Sequence, residues 1–180
     1  GTIRAGRGVT AADFDEDGDL DVYVSNYRLQ PNYLFENDGQ GNITDTAGSH
    51  GAQGGNGHSI GAAWGDMDND GHIDLFAGNF AHRGQPESQF LKNLGPAGGF
   101  DFQDQSGSAG LGYQESYASP SLADYDNDGD LDLFLTTVYS GDHSVLYSNN
   151  GSWNFSDVTG SEGLSGLGKT YMNAWADFDN

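Results

Sequence analysis

The sequence predicts an all-β fold built from repeated four-stranded units, and three observations carry that prediction. An acidic string of the form Asp-x-Asp-x-Asp-Gly-x-x-Asp occurs three times, beginning at Asp13, Asp66 and Asp124, and a fourth begins at Asp177. The intervals of 53, 58 and 53 residues are those of an internal structural repeat. The apolar stretches between the strings are short, and no amphipathic run of helical period extends beyond a turn or two.

Each element of the unit follows in register. A first strand approaches the acidic string through small residues: Thr10-Ala11-Ala12, Ala63-Trp64-Gly65, Leu122-Ala123 and Trp175-Ala176. A second strand leaves it as Val22-Tyr23-Val24, Leu75-Phe76-Ala77 and Leu133-Phe134-Leu135. A third, carrying Tyr33-Leu34-Phe35, Phe90-Leu91 and Val145-Leu146-Tyr147, runs into an Asn-x-Gly turn at Asn37, Asn93 and Asn149. A fourth opens with Ile43-Thr44-Asp45, Phe102-Gln103-Asp104 and Phe155-Ser156-Asp157. One such unit cannot bury both faces alone, whereas radial stacking into a β-propeller buries them all. The predicted blades are 1–53, 54–111 and 112–164, with 165–180 supplying the first strand of a fourth. The small residues before each string suit an innermost strand, where neighbouring blades crowd the axis. Three units and a strand fall short of a ring, and the last string stops at Asn180. The expectation is therefore a section of a larger ring, whose open faces could self-associate.

Composition narrows the partners. Six Lys and Arg against 27 Asp and Glu give a formal charge of −21, which repels nucleic acid and anionic membrane. Regular apolar runs and 12% aromatic residues exclude the disorder that such acidity often accompanies. The four strings hold 17 of the 27 acidic residues, a density that is stable only with a cation among them. Cysteine is absent, which excludes disulfides, thiol nucleophiles and cysteine-based zinc sites. No apolar stretch approaches the length of a membrane span. No signal peptide is visible, and the start at Gly1 reads as an excised segment.

The strings are candidate Ca²⁺ sites. In the first, Asp13, Asp15 and Asp17 fall at positions 1, 3 and 5, so their side chains converge on one point. Gly18 at position 6 permits the sharp turn, Asp19 at position 7 offers its backbone carbonyl, and Asp21 at position 9 adds a carboxylate. The second set is Asp66, Asp68, Asp70, His72 and Asp74, and the third Asp124, Asp126, Asp128, Asp130 and Asp132. His72 sits where the main chain coordinates, so its imidazole is expected to point to solvent. Asp177 and Asp179 begin a fourth site that lacks positions 5 to 9. All-oxygen, anionic, flexible coordination favours Ca²⁺ over Mg²⁺. Ordinary acidic β-turns would explain one such string but not three in register. An EF-hand needs Glu at position 12, where this chain has Val24, Ala77 and Leu135.

The segment Ala123–Phe134, with Asn149-Asn150-Gly151 and Phe155–Thr159, resembles the FG-GAP/VCBS repeats of integrin-α-type propellers. The resemblance covers nearly the whole chain. It implies a ring of roughly seven blades, Ca²⁺ in the loop between the first two strands of each blade, and an extracellular setting. The implied role is adhesion, recognition or scaffolding, with a protein or glycan ligand at the blade loops. A carbohydrate-active propeller, lectin or polysaccharide lyase, is the alternative.

Other chemistry is sparse. His50, His58, His72, His82 and His143 show no metal-pair spacing and read as turn or solvent-facing residues, and no nucleophile-elbow motif occurs. Trp64 and Trp175 occupy matching positions beside acidic strings, where packing between blades is a better reading than sugar stacking. Arg28 and Arg83 follow second strands at a rim where ligands could bind. The calcium loops look saturated by protein, which favours a non-enzymatic module.

Overall fold

The computed structural model describes residues 4–81, 84–111 and 117–177. The first sheet comprises β1 (Ala5–Ala12), β2 (Asp21–Tyr27), β3 (Tyr33–Asn37) and β4 (Ile43–Asp45). The second comprises β5 (Ser59–Gly65), β6 (Asp74–Asn79), β7 (Gln89–Asn93) and β8 (Phe102–Asp104). The third comprises β9 (Tyr117–Ala123), β10 (Asp132–Thr137), β11 (Val145–Ser148) and β12 (Ser156–Asp157). Every sheet is antiparallel and ordered as in the sequence. Single-turn 3₁₀ segments at Gly54–Asn56 and Pro96–Gly98 are the only helical residues among those described. The fold is all-β, as the repeat predicts.

Each acidic string is the connection between the first two strands of its sheet. Ala12 pairs with Asp21, Gly65 with Asp74 and Ala123 with Asp132, so position 9 is the first residue of the second strand. The first pairing of every sheet also carries a bulge, between Gly6 and Gly8, between Ser59 and Gly61, and between Leu135 and Thr137. Bulges strengthen local twist, and here they fall near the end of the hairpin away from the acidic loop.

The sheets stack face to face in succession, with β5 against β1 and β9 against β5. Strand periodicity explains how the middle sheet serves both neighbours, because alternate side chains leave opposite faces. Leu75 and Ala77 join Phe14, Tyr23, Leu34 and Ala52 in one core. Phe76, between them in β6, joins Leu133, Leu135, Val145, Tyr147 and Phe155 in the other. All six residues of β6 are buried, which is why it reads as a nearly unbroken apolar run. Fully burying a side chain such as Phe76 contributes roughly 1.5–3 kcal/mol. The first strands approach so closely that a Cβ on Gly61 would lie 2.8 Å from Pro120 Cδ, and one on Gly8 would overlap the Ile60 carbonyl.

The expected first strand of a fourth unit is not formed among the described residues. Residues 165–177 run without a ladder across β9 and β10. Tyr171 donates its backbone N–H to the Thr137 carbonyl (3.3 Å), Asn173 Nδ2 to the Phe134 carbonyl (3.2 Å) and Trp175 Nε1 to Ser121 Oγ (2.9 Å). In the other units the first strand takes its ladder from the strand after the acidic string. For the string at Asp177 those residues are not among the 180.

Candidate metal centre

The three loops adopt one conformation. Position 4 is left-handed in each, at Glu16 (φ 59°), Asn69 (φ 58°) and Asn127 (φ 62°). Position 6 lies at φ 96°, 92° and 95°, which is open to glycine and strained for a side chain, so Gly18, Gly71 and Gly129 are required there.

An identical lattice of hydrogen bonds aims the carboxylates. Asp13 accepts the N–H groups of Asp17 (3.1 Å) and Gly18 (3.0 Å). Asp66 accepts those of Asp70 and Gly71, and Asp124 those of Asp128 and Gly129. At position 5, Asp17, Asp70 and Asp128 each accept the N–H of position 7 at 2.9 Å. With their orientation fixed, oxygens of Asp13, Asp15 and Asp17 lie within 4.8 Å of one another. The same holds for Asp66, Asp68 and Asp70, and in the third loop for Asp124, Asp126 and Asp132.

Position 9 has a structural task whichever ion the loop takes. Asp21, Asp74 and Asp132 are fully buried. One oxygen of each accepts the N–H of position 2, from Phe14, Met67 and Tyr125. The other accepts the N–H of Asn37, Asn93 and Asn149. These aspartates buckle the loop to the third strand. Burial pushes Asp21 up to about 6 and Asp74 up to about 7, although the N–H bonds pull the other way. Burial also raises Asp132, and it raises Asp15, which Asp17 and Glu36 push further.

Position 7 side chains turn away from the carboxylate groups. Asp19, His72 and Asp130 lie over Gly39, Gly95 and Gly151 of the Asn-x-Gly turns. His72, expected to face solvent, is partly exposed and also has a partner: its Nδ1 lies 2.5 Å from Glu16 Oε1 of the preceding loop. That carboxylate holds the His72 imidazole above its usual range. Asn69 Nδ2 makes the equivalent link to Asp130 Oδ1 (2.6 Å), so position 4 of one loop reaches position 7 of the next. The other anchored histidines also sit at seams. His50 Nδ1 lies 3.1 Å from Asp101 Oδ1, and His58 Nδ1 accepts the Arg28 N–H at 3.1 Å. Asp177 is exposed, while Asp179, His82 and Arg83 lie outside the described residues.

Sequence reading missed the roles of four residues, Asn93, Asn149, Lys92 and Trp153. Asn93 Nδ2 donates to the carbonyl of Phe14 (2.8 Å), and Asn149 Nδ2 to that of Met67 (2.8 Å), so each ties the preceding loop to its own sheet. Lys92 Nζ donates to Asp68 Oδ2 and, at 2.8 Å, to Asp70 Oδ2. Partial burial pushes Asp70 up, but Lys92 and the His72 N–H outweigh it and hold the carboxyl below its ordinary range. Trp153 Nε1 donates to Asp68 Oδ2 at 2.6 Å. Trp64 packs against Tyr23 and Phe102, the expected contact between sheets, whereas Trp175 stays partly exposed on Tyr125.

The donor set fits a hard divalent cation. Every converging atom is a carboxylate oxygen, and Asp15 Oδ1 and Asp68 Oδ1 are buried with no hydrogen-bond partner. Buried polar atoms are seldom left in that state without a ligand. Asp13, Asp15 and Asp17 would hold a cation in the first loop, Asp66, Asp68 and Asp70 in the second, and Asp124, Asp126 and Asp132 in the third.

Known proteins are similar to this chain in sequence. Cartilage acidic protein 1 of Mus musculus is 30% identical over 140 residues, covering 74% of this chain and 20% of that protein. Its Homo sapiens counterpart is 29% identical over 133 residues, covering 74% and 19%. The chain thus spans about a fifth of the length of the curated relatives it matches. The FG-GAP-like repeat family matches residues 13–77, from the first aspartate of the first loop into β6. Residues 13–77 of this chain are an FG-GAP-like repeat.

Proposed function

We propose that this chain is a calcium-stabilised section of a β-propeller that works outside the cell as a non-catalytic recognition or scaffolding module. One observation carries the reading: three loops of one conformation each draw carboxylate oxygens within 4.8 Å of one another, and two of the loops contain a buried oxygen without a partner. Calcium would neutralise each group and lock the first hairpin of its blade, so that rim and turn residues are presented rigidly to a protein or glycan partner. The face-to-face stacking of three four-stranded sheets is the arrangement that radial blades require. The relatives are named for cartilage and for acidity. A net charge of −21 and a matrix tissue both suit an extracellular setting rich in calcium.

The test is equilibrium binding. Calorimetric titration of chelator-treated protein should give calcium binding at these loops, with little competition from equimolar Mg²⁺. Asp124→Ala should remove one site. A heat signal indistinguishable from buffer would sink the reading. The carbohydrate-active alternative has one observation on its side, the exposed Trp175 stacked on Tyr125 beside the third loop. Binding on a glycan array that Trp175→Ala abolishes would favour a lectin, and new ultraviolet absorbance from an acidic polysaccharide would favour a lyase.

A further inference from the structure

We propose that the residue facing each acidic loop from the third strand of its sheet grades that loop's affinity for divalent cations, and that Lys92 makes the second loop the weak one. The inference rests on the reading of the loops as cation sites.

Glu36, Lys92 and Ser148 are equivalent positions. Each follows a residue paired with the second strand, at Phe35↔Val22, Leu91↔Leu75 and Tyr147↔Leu133, and each precedes the asparagine buckled to position 9. The three sheets therefore present an anion, a cation and a neutral hydroxyl at one place. Lys92 Nζ is bonded to both Asp68 and Asp70, two of the three carboxylates that converge in the second loop. An indole lies near the ammonium as well. Trp153 shares Asp68 Oδ2 with it, and the indole ring lies 6.0 Å from Nζ. The Lys92 side chain is only 21% exposed, so it is not a solvated surface charge that swings away freely.

The second loop thus carries its own counterion. A divalent ion that enters must displace Nζ from two carboxylates and then tolerate a positive charge at short range in a part-buried site. Asp68 keeps an oxygen for that ion, because Oδ1 is buried and unpartnered while Oδ2 holds Lys92 and Trp153. The second site is weakened rather than abolished. In the first loop Glu36 adds negative charge that Asp15 feels, and in the third Ser148 adds none. The expected order of affinity is first, third, second, with the second weaker by on the order of 10- to 100-fold from like-charge repulsion at a partly buried site.

Calcium calorimetry on the protein and two variants tests this. Wild type should show two stronger sites and one weak one. Lys92→Ser, which copies the third sheet, should convert the weak site into a strong one. Ser148→Lys, which copies the second sheet, should weaken one strong site by a similar factor, so the idea stays testable if one variant fails to fold. Three equivalent wild-type sites, or a weak site unmoved by Lys92→Ser and a strong set unmoved by Ser148→Lys, would overturn the proposal and leave the cation-site reading intact. A wild-type protein that binds no calcium would overturn both.

Discussion

A single asparagine shows how much of this protein is decided by one side chain. Asn149 looks like a turn residue, and its Oδ1 does accept the Gly151 N–H at 3.2 Å as such residues do. Its Nδ2 also spans two units by donating to Met67 and Leu131 carbonyls, and the residue is buried. Asn149→Ala leaves those carbonyls without their donor, a cost of about 1–3 kcal/mol. Urea unfolding should report that loss equally in calcium and in chelator, because the clamp does not use the ion. A loss seen in calcium alone would assign Asn149 to the metal site instead. The clamp was not legible in the sequence because its partner lies 82 residues earlier. Lys92 escaped notice for a related reason: it lies two strands away from the loop it neutralises, at a position that alternation marks only as polar. The acidic strings were legible because spacing within one loop is a local property, and a local pattern survives without knowledge of the fold.

At the scale of elements, β6 separates two cores with adjacent side chains. Leu75→Ala should cost about 2–5 kcal/mol and Phe76→Ala about 3–5 kcal/mol, both by denaturant unfolding. Hydrogen exchange should tell them apart: Leu75→Ala loosens β2 and β3 first, and Phe76→Ala loosens β10 and β11. The aspartates that open β2 and β6 give a pH signature. Asp21 and Asp74 have folded-state values raised by burial to about 6 and about 7, from an ordinary 3.8. Between those limits the folded state of the cation-free protein binds more protons than the unfolded state, so stability falls as pH rises. In chelator the melting temperature should drop from pH 5 to pH 8, and saturating calcium should flatten that slope. A melting temperature that rises with pH in chelator would contradict the burial assigned to these carboxylates. The strand order was readable from alternation and turn residues, since both are short-range. The first strand of a fourth unit was not, because a strand exists only when another strand completes its ladder.

The whole molecule carries a charge of −21 with its acid gathered at three hairpins, and the stacked sheets bring those hairpins into a chain of contacts. Glu16 reaches His72 and Asn69 reaches Asp130, so neutralising one loop steadies the next. Without a cation, each loop sets carboxylates against one another beside a buried seam, and that repulsion works against the packing of neighbouring sheets. A ligand that binds only the folded state at a hundredfold excess over its Kd stabilises by about 2.7 kcal/mol per site. The most direct test of the central claim is the melting temperature of the protein at neutral pH in excess calcium, in equimolar magnesium and in chelator. The account predicts a clear rise in calcium over chelator, a much smaller one in magnesium, and a reduced calcium shift in Asp126→Ala. Superimposable melting curves in calcium and chelator would contradict it.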